Sequence, residues 1–240
     1  MKNKPLISVI IPTYNEIKYL PSLLKSIKNQ TYKKYEVIVS DYKSSDGTIE
    51  VAKKYGCKVL RNRKKGVSSA KNKGFRESKG EIVAFIDADY VLSKNLFEEV
   101  VKEFEKDKSL IVIEPETRLN IRGLNIFARR IWSRYIRFLN LYKNFSYSTI
   151  YPAAYGCVFI KRWAFAAVGG FDERMEIAED IDLFNRIRKY GSFKMIKATA
   201  QRSMRRYIKQ GYFKTLIKYA ISDILLFFHI KKTPELNPIR

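Results

Sequence analysis

Lys79-Gly80-Glu81-Ile82-Val83-Ala84-Phe85-Ile86-Asp87-Ala88-Asp89 sets five consecutive apolar residues directly against two carboxylates. The apolar run does not alternate, and it is bounded by a glycine on one side and acids on the other. That pattern predicts a short strand covered on both faces. Two carboxylates two residues apart at the end of such a strand repel each other, and as a pair of anions they are costly to bury. A hard divalent cation reverses that cost, because Mg2+ and Mn2+ take carboxylate and phosphate oxygens as ligands. The bland alternative for Asp87-Ala88-Asp89 is an ordinary turn or helix cap.

Working outward, residues 6–11, 35–40, 58–60 and 110–113 read as further strands. Between them lie helical patterns. Leu20, Leu23, Leu24 and Ile27 recur at helical spacing, and residues 48–55, 67–78 and 96–104 follow with glycine stops at Gly56 and Gly80. Alternation of apolar strands with helices predicts an α/β fold with a mostly parallel central sheet and helices on both faces. Ligands on such sheets sit outside the carboxyl ends of the strands. Those ends carry Thr13-Tyr14-Asn15, Asp41 and Asp87-Ala88-Asp89, so three polar clusters converge on one edge.

The second half reads differently. Residues 124–142 predict a basic amphipathic helix, with Arg129, Arg130, Arg134 and Arg137 among Phe127, Ile131, Trp132 and Phe138. A strand over 155–161 and a short helix over 163–168 follow. A helix over 178–190 opens with Glu179, Asp180 and Asp182 and closes with Arg186, Arg188 and Lys189, in the sense of the macrodipole. A strand over 193–196 and a long helix over 212–230 complete the pattern. Residues 1–115 and 116–200 are expected to form two halves of one domain, with 201–240 a basic helical extension.

The 240 residues include 47 Lys and Arg against 24 Asp and Glu, a formal net charge of +23. Residues 1–116 carry 23 basic and 16 acidic side chains, whereas 117–240 carry 24 and 8. Between Thr117 and Phe171 there are nine basic residues and no acid. Such blocks attract polyanions, whether nucleic acid, anionic lipid or a phosphorylated substrate. A single histidine, His229, argues against Ser-His chemistry and His-based metal sites, and Cys57 and Cys157 form no Cys-x-x-Cys pair. Catalysis is left to carboxylates, lysines, arginines or a carboxylate-held metal. No run reaches the ~18 apolar residues of a membrane span, and the N-terminus does not read as a signal peptide. A cytoplasmic location is expected, with the inner face of a membrane as a variant of it.

The motifs together resemble family 2 glycosyltransferases with the GT-A fold. The resemblance runs through Ile7-Ser8-Val9-Ile10-Ile11-Pro12-Thr13-Tyr14-Asn15-Glu16, Asp41 to Thr48, Ala70-Lys71-Asn72-Lys73-Gly74 and the Lys79–Asp89 stretch. It continues in Val168-Gly169-Gly170-Phe171-Asp172-Glu173 and Ala178-Glu179-Asp180-Ile181-Asp182-Leu183. It implies an inverting, metal-dependent transferase taking a nucleotide-sugar donor, with a UDP-sugar expected. By that analogy Pro12, Thr13, Tyr14, Glu16, Asp41, Lys71, Asp87 and Ala88 line the nucleotide, and Asp41 reads the uracil ring. Asp89 with Asp87 holds Mn2+ or Mg2+, and Asp180 is the general base, with Glu179 orienting acceptor or base.

Departures are informative. Lys71 stands where the family often has arginine, and it loses the bidentate fork. Tyr90 stands where a third acid is common, and Tyr42-Lys43 replaces a small or acidic pair. The Gln-x-x-Arg-Trp motif of processive synthases is absent. Arg202, Arg205 or Arg206 is either a closing group over the diphosphate or part of a solvated basic turn. The acceptor is expected to be a saccharide or a lipid-linked molecule. The helices at 124–142 and 212–230 have the make-up of interfacial helices on an anionic membrane, or of helices packed on the core or across a homodimer. Nucleic acid is not expected as a partner, because it leaves the acids of the ligand edge unexplained. An acceptor that is itself a polyprenyl phosphate would need no base at Asp180.

Overall fold

The computed structural model describes residues 4–121, 125–146, 156–175, 179–205 and 208. The first half alternates β1 (Ile7–Thr13), α1 (Leu20–Lys28), β2 (Tyr35–Asp41), α2 (Thr48–Lys54), β3 (Lys58–Arg61), α3 (Val67–Arg76) and β4 (Ile82–Ile86). The second comprises β5 (Tyr90–Leu92), α4 (Leu96–Lys106), β6 (Leu110–Leu119), α5 (Ile126–Ser146), β7 (Cys157–Lys161), α6 (Arg162–Ala167), α7 (Glu179–Ile187) and β8 (Ser192–Arg202). All eight strands form one sheet in the order β3-β2-β1-β4-β7-β6-β8-β5.

The strands β3, β2, β1 and β4 are mutually parallel, as the alternation of elements predicted. Strand β7 runs antiparallel to both β4 and β6, which leaves β6 pointing the same way as β4. Strand β8 is parallel to β6, and the short β5 closes the edge antiparallel to β8. The carboxyl ends of β1, β2, β4, β6 and β8 therefore share one edge. The result is a mixed, mostly parallel sheet covered by a core on each face.

The continuous apolar run of β4 is explained by two cores. Ile82, Ala84 and Ile86 face one cluster together with Ile7, Val9 and Ile11 of β1. Val83 and Phe85 face the other, with Ile10, Phe165, Phe171 and Phe184. The period of two puts successive side chains on opposite faces, and both faces are covered. Phe85 is in contact with Phe165 and Phe171 at centroid distances of 4.8 and 4.9 Å. Truncating such a buried ring costs about 3–5 kcal/mol. Gly74 lets α3 lie close on β1, because a Cβ there would stand 2.4 Å from Cγ2 of Ile10.

Two features were not legible in the pattern. Strand β6 runs six residues past the expected end at 113, and β5 had no counterpart among the expected strands. The outer part of β6 carries Glu114, Glu116 and Arg118 and contains Pro115, so the apolar signal stops at Ile113. Pairing to β8 continues beyond a register shift at Pro115. The expected helix over 212–230 lies outside the described residues.

Candidate active site

The first cluster lies where β1 and β2 end side by side, Thr13 being in register with Asp41. Asp41 is fully buried. Its Oδ2 accepts bonds from Thr13 Oγ1 at 2.8 Å and Ser44 Oγ at 2.5 Å, and its Oδ1 accepts from the Ser44 amide at 2.9 Å. The loop after β2 thus folds back over the carboxylate. Two non-glycine residues of this edge, Asn15 and Lys43, hold positive φ angles of 55° and 51°. Such conformations cost free energy and persist where the surroundings impose them. Here Asn15 is bonded through its amide to Ser44 Oγ at 2.8 Å and through Oδ1 to the Ser45 amide at 3.0 Å. Tyr14 and Tyr42 meet edge to face at 5.5 Å, making an aromatic rim beside Asp41. Pro12 is half-buried in β1.

The second cluster follows β4. Ala88, between the two acids, packs into the core. Asp89 is buried. Its Oδ2 accepts from Arg205 Nε at 3.0 Å, whereas its Oδ1 has no hydrogen-bond partner. Arg205 Nη1 also donates to Glu16 Oε2 at 2.5 Å, and the guanidinium lies 4.6 Å from the ring centre of Tyr19. One cation therefore bridges two buried carboxylates. Burial pushes the Glu16 carboxyl up to about 7 against the pull of Arg205. Asp87 is half-buried, and its amide donates to the Gly156 carbonyl at 2.8 Å. A Cβ at residue 156 would stand 2.1 Å from Asp87 Oδ2, so the space for this carboxylate exists only because residue 156 is glycine.

The third cluster joins α3 to α7. Lys71 is 1% exposed. Its Nζ donates to Glu179 Oε1 at 2.9 Å and to Asp180 Oδ1 at 3.0 Å, and it sits 4.8 Å over the ring of Phe171. Burial alone would depress the lysine. Asp180, Glu179 and Asp87 outweigh it, and its pKa is raised. Asp180 is pushed up to about 7, by burial first and then by the charges of Glu179 and Asp87, with Lys71 opposing. The lysine stays protonated, and the pair of acids carries less than two full charges near neutrality. Asn72, next on α3, holds the chain ahead of α7. Its Nδ2 donates to the Phe171 carbonyl, and its Oδ1 accepts from the Phe171 amide, both at 2.9 Å. Asp182, by contrast, has the structural role expected of a first-turn acid and pairs with Arg186 at 2.8 Å.

Asp87 stands between the last two clusters, since its charge acts on Glu16 and Arg205 on one side and on Lys71 and Asp180 on the other. Among the described residues no group of three or more His, Cys, Asp and Glu is arranged to hold a metal by itself. Asp89, with one unpartnered oxygen, and Asp87 at the strand end do fit a hard cation whose remaining ligands come from a diphosphate and water. Lys71, expected beside the nucleotide, is placed against the α7 acids. Gly156, Ser44 and Asn72 were not singled out as site residues by sequence reasoning, and Arg205 was named only as one of three candidates to close over the diphosphate. Gly156 had no signal at all, while Arg205 stood among three arginines with nothing to choose between them.

The family model described as Glycosyl transferase family 2 matches residues 8–168, from β1 through the end of α6. The chain belongs to glycosyl transferase family 2. Asp41, Lys71, Asp87 and Asp89 lie within the matched region, whereas Glu179, Asp180 and Arg205 lie beyond it. A chondroitin synthase of Pasteurella multocida is 31% identical over 196 residues, which cover 79% of this chain and 20% of that enzyme. The chain thus spans about a fifth of the length of that relative. Among solved structures, a mannosyltransferase from Pyrobaculum calidifontis, in complex with GDP-Man and Mn2+, aligns with a TM-score of 0.77 at 21% identity. That alignment covers 97% of this chain and 67% of the other. TarS 1-349 of S. aureus, in complex with UDP, aligns with a TM-score of 0.62 at 20% identity, covering 91% of this chain and 65% of TarS 1-349. These structural likenesses establish the GT-A fold.

Proposed function

We propose that this family 2 chain transfers a sugar from a UDP-sugar to a hydroxyl acceptor with inversion, using Mn2+ or Mg2+. The observation that carries the reading is the three carboxylate clusters, at Asp41, at Asp87 and Asp89, and at Glu179 and Asp180, on one edge of the sheet. In this reading residues 1–115 serve the donor and 116–200 the acceptor. Thr13, Tyr14 and Asp41 take the nucleoside. Asp41 Oδ1 accepts one bond and has lone-pair capacity for a base N–H, provided the Ser44 loop yields. Asp89 and Asp87 would hold the divalent ion, and a bound ion there neutralises the diphosphate as it leaves. Asp180, raised to about 7, is suited to take the acceptor proton near neutrality, since a base works best with its pKa close to the operating pH. Glu179 and Lys71 orient it.

Complexes of other proteins with GDP-Man and Mn2+ and with UDP support a nucleotide-sugar donor and a metal. The choice of uridine rests on the family resemblance. A polyprenyl phosphate acceptor is the second reading, favoured by the exposed basic and apolar face of α5. The test is calorimetric titration of UDP, with GDP as control, in the presence and absence of Mn2+. Micromolar UDP binding that needs Mn2+ and disappears in Asp89→Ala is the expected result. Absence of nucleotide binding with metal present overturns the proposal.

A further inference from the structure

Among the described residues, helix α5 buries one face and leaves the other bare. Trp132, Tyr135 and Ile136 pack with Leu119 at the end of β6 and Met204 just beyond β8. Eight residues along, Asn140 clips the helix to β6, donating to the Thr117 carbonyl at 2.9 Å and accepting from the Thr117 amide at 3.3 Å. The helix is therefore tied down at both of these points, and its outer face is defined. On that face Phe127 is 72% exposed, Ile131 50%, Phe138 64% and Leu141 66%. These positions follow one another at intervals of four, seven and three, so they form a ridge. Arg130, Arg134 and Arg137, at intervals of four and three, form a row beside it, and all three are exposed. Six of the eleven large exposed apolar side chains of the described residues belong to this helix. Isolated exposed apolar residues need no explanation, but a ridge of them does.

We propose that the outer face of α5 docks on the anionic surface of a lipid bilayer and holds the sheet edge against it. The chemistry is complementary on both counts. Aromatic and aliphatic side chains enter the boundary of the acyl region, while guanidinium groups stay with anionic headgroups. No acid occurs between Thr117 and Phe171 to oppose this. A second copy of the chain is a poorer occupant, because a two-fold contact sets Arg130, Arg134 and Arg137 against the same arginines. Nucleic acid would engage the arginines but leaves the aliphatic part of the ridge without a partner. The helix lies on the bilayer and does not cross it, and among the described residues no helix is long and apolar enough to span.

The placement gives the surface a use. Strand β6 ends on the same sheet edge as the candidate site, and α5 follows it. Met204, one of the residues on which Trp132 is seated, is next in sequence to Arg205, which holds Asp89 and Glu16. A bilayer on the outer face of α5 thus lies about one helix diameter, ~10 Å, from the seat next to Arg205, and an acceptor carried in lipid would reach the site across that distance. This last step rests on the transferase reading, while the docking itself does not.

The test is flotation of the full chain with phosphatidylcholine vesicles, with and without about 30% phosphatidylglycerol as the anionic lipid. The chain is expected to float with the anionic vesicles at low salt, to stay down with neutral ones, and to be released by salt. Two variants locate the contact. A chain with Arg130→Gln, Arg134→Gln and Arg137→Gln should lose about a hundredfold in partitioning, at about fivefold per cation near the surface. A chain with Phe127→Ser and Phe138→Ser should lose it comparably, with UDP binding and melting temperature unchanged in both. No flotation at low salt, or flotation untouched by both variants, overturns the proposal. So does a dimer in light scattering that the same variants abolish, or tighter retention on RNA than on anionic vesicles. UDP binding is read separately, so failure of the docking and failure of the transferase reading are told apart.

Discussion

Lys71→Met removes a buried cation while keeping the length and most of the volume of the side chain. At 2.9 and 3.0 Å from two carboxylate oxygens, the ammonium interacts with each by about 5–6 kcal/mol at an effective dielectric near 20. Desolvation of three charged groups offsets much of that, and breaking a buried pair by removing one member typically costs about 3–5 kcal/mol. The loss should depend on pH. Lys71, with its pKa raised, is charged in both folded and unfolded chains throughout the range from pH 5 to 8, so its contribution is present across that range. Asp180 is raised to about 7 in the fold. A carboxyl raised above its unfolded value near 3.9 favours the fold fully below that value, and the benefit is lost as pH rises to about 7. Without the lysine this loss deepens, because nothing opposes burial and the charge of Glu179. Denaturant unfolding at pH 8 should therefore show Lys71→Met destabilised by about 3–5 kcal/mol. That corresponds to a drop of about 10 °C in melting temperature for a chain of this size. At pH 5 the difference should shrink to about half or less, since Asp180 then takes up its proton. An equal loss at both pH values would mean that Lys71 contributes packing and not charge, and the account of this cluster would fail.

Three other variants probe the remaining clusters. Asp180→Asn should lower turnover on a hydroxyl acceptor by about 10²–10⁴ with UDP affinity unchanged. A loss under tenfold (about 1.4 kcal/mol) points to an acceptor that is already an anion. Arg205→Gln removes the cation that bridges Asp89 and Glu16, and should tighten Mn2+ binding, read by the free-ion electron resonance signal, by about tenfold, the size of one charge-assisted bond. Unchanged or weaker Mn2+ binding would show that Arg205 does not compete for Asp89. Gly156→Ala drives a methyl group into Asp87 Oδ2 at 2.1 Å and should weaken metal-dependent UDP binding by at least about tenfold, while the melting temperature falls by only a few degrees, about 1 kcal/mol. Retention of full affinity would mean that the position of Asp87 is not used.

How much of this was legible in the sequence varies with the kind of signal. Strand β4 was readable because both its faces are buried and its apolar run is unbroken, and β1 and β2 because their inner apolar runs are broken only at Ser8 and at Glu36. The edge of the sheet followed from them, and with it the convergence of Asp41, Asp87 and Asp89. The long β6 and β8 were cut short, because a strand that carries Glu114, Pro115 and Glu116 shows neither alternation nor continuity. Salt-bridge partners distant in sequence leave no local trace at all. Lys71 is separated from Asp180 by 109 positions and Arg205 from Glu16 by 189. Charge patterning marked each of these side chains as basic or acidic, and nothing in the chain said which would meet. The interfacial make-up of α5 was readable, but which face is bare follows only from the seats of Trp132 and Asn140.

The departures from the family pattern make physical sense when taken together with their contacts. A third acid is common where Tyr90 stands, and here that residue is fully buried with its hydroxyl unpartnered. An added carboxylate there would share a confined space with Asp87 and Asp89. Glu16, in the loop after β1, already supplies another acid at this edge, and Arg205 balances it. The usual arginine is replaced by Lys71, whose compact ammonium can sit between Glu179 and Asp180 at nearly equal distances, where a planar fork would need more room. In both places one cation stands between two acids, and Asp87 lies between the two arrangements with its charge felt in each. A ligand that changes the charge at Asp87 would be felt at Glu16 and at Asp180, although burial is the larger influence on each. The coupling runs through a single carboxylate, and the room for that carboxylate is kept open by Gly156.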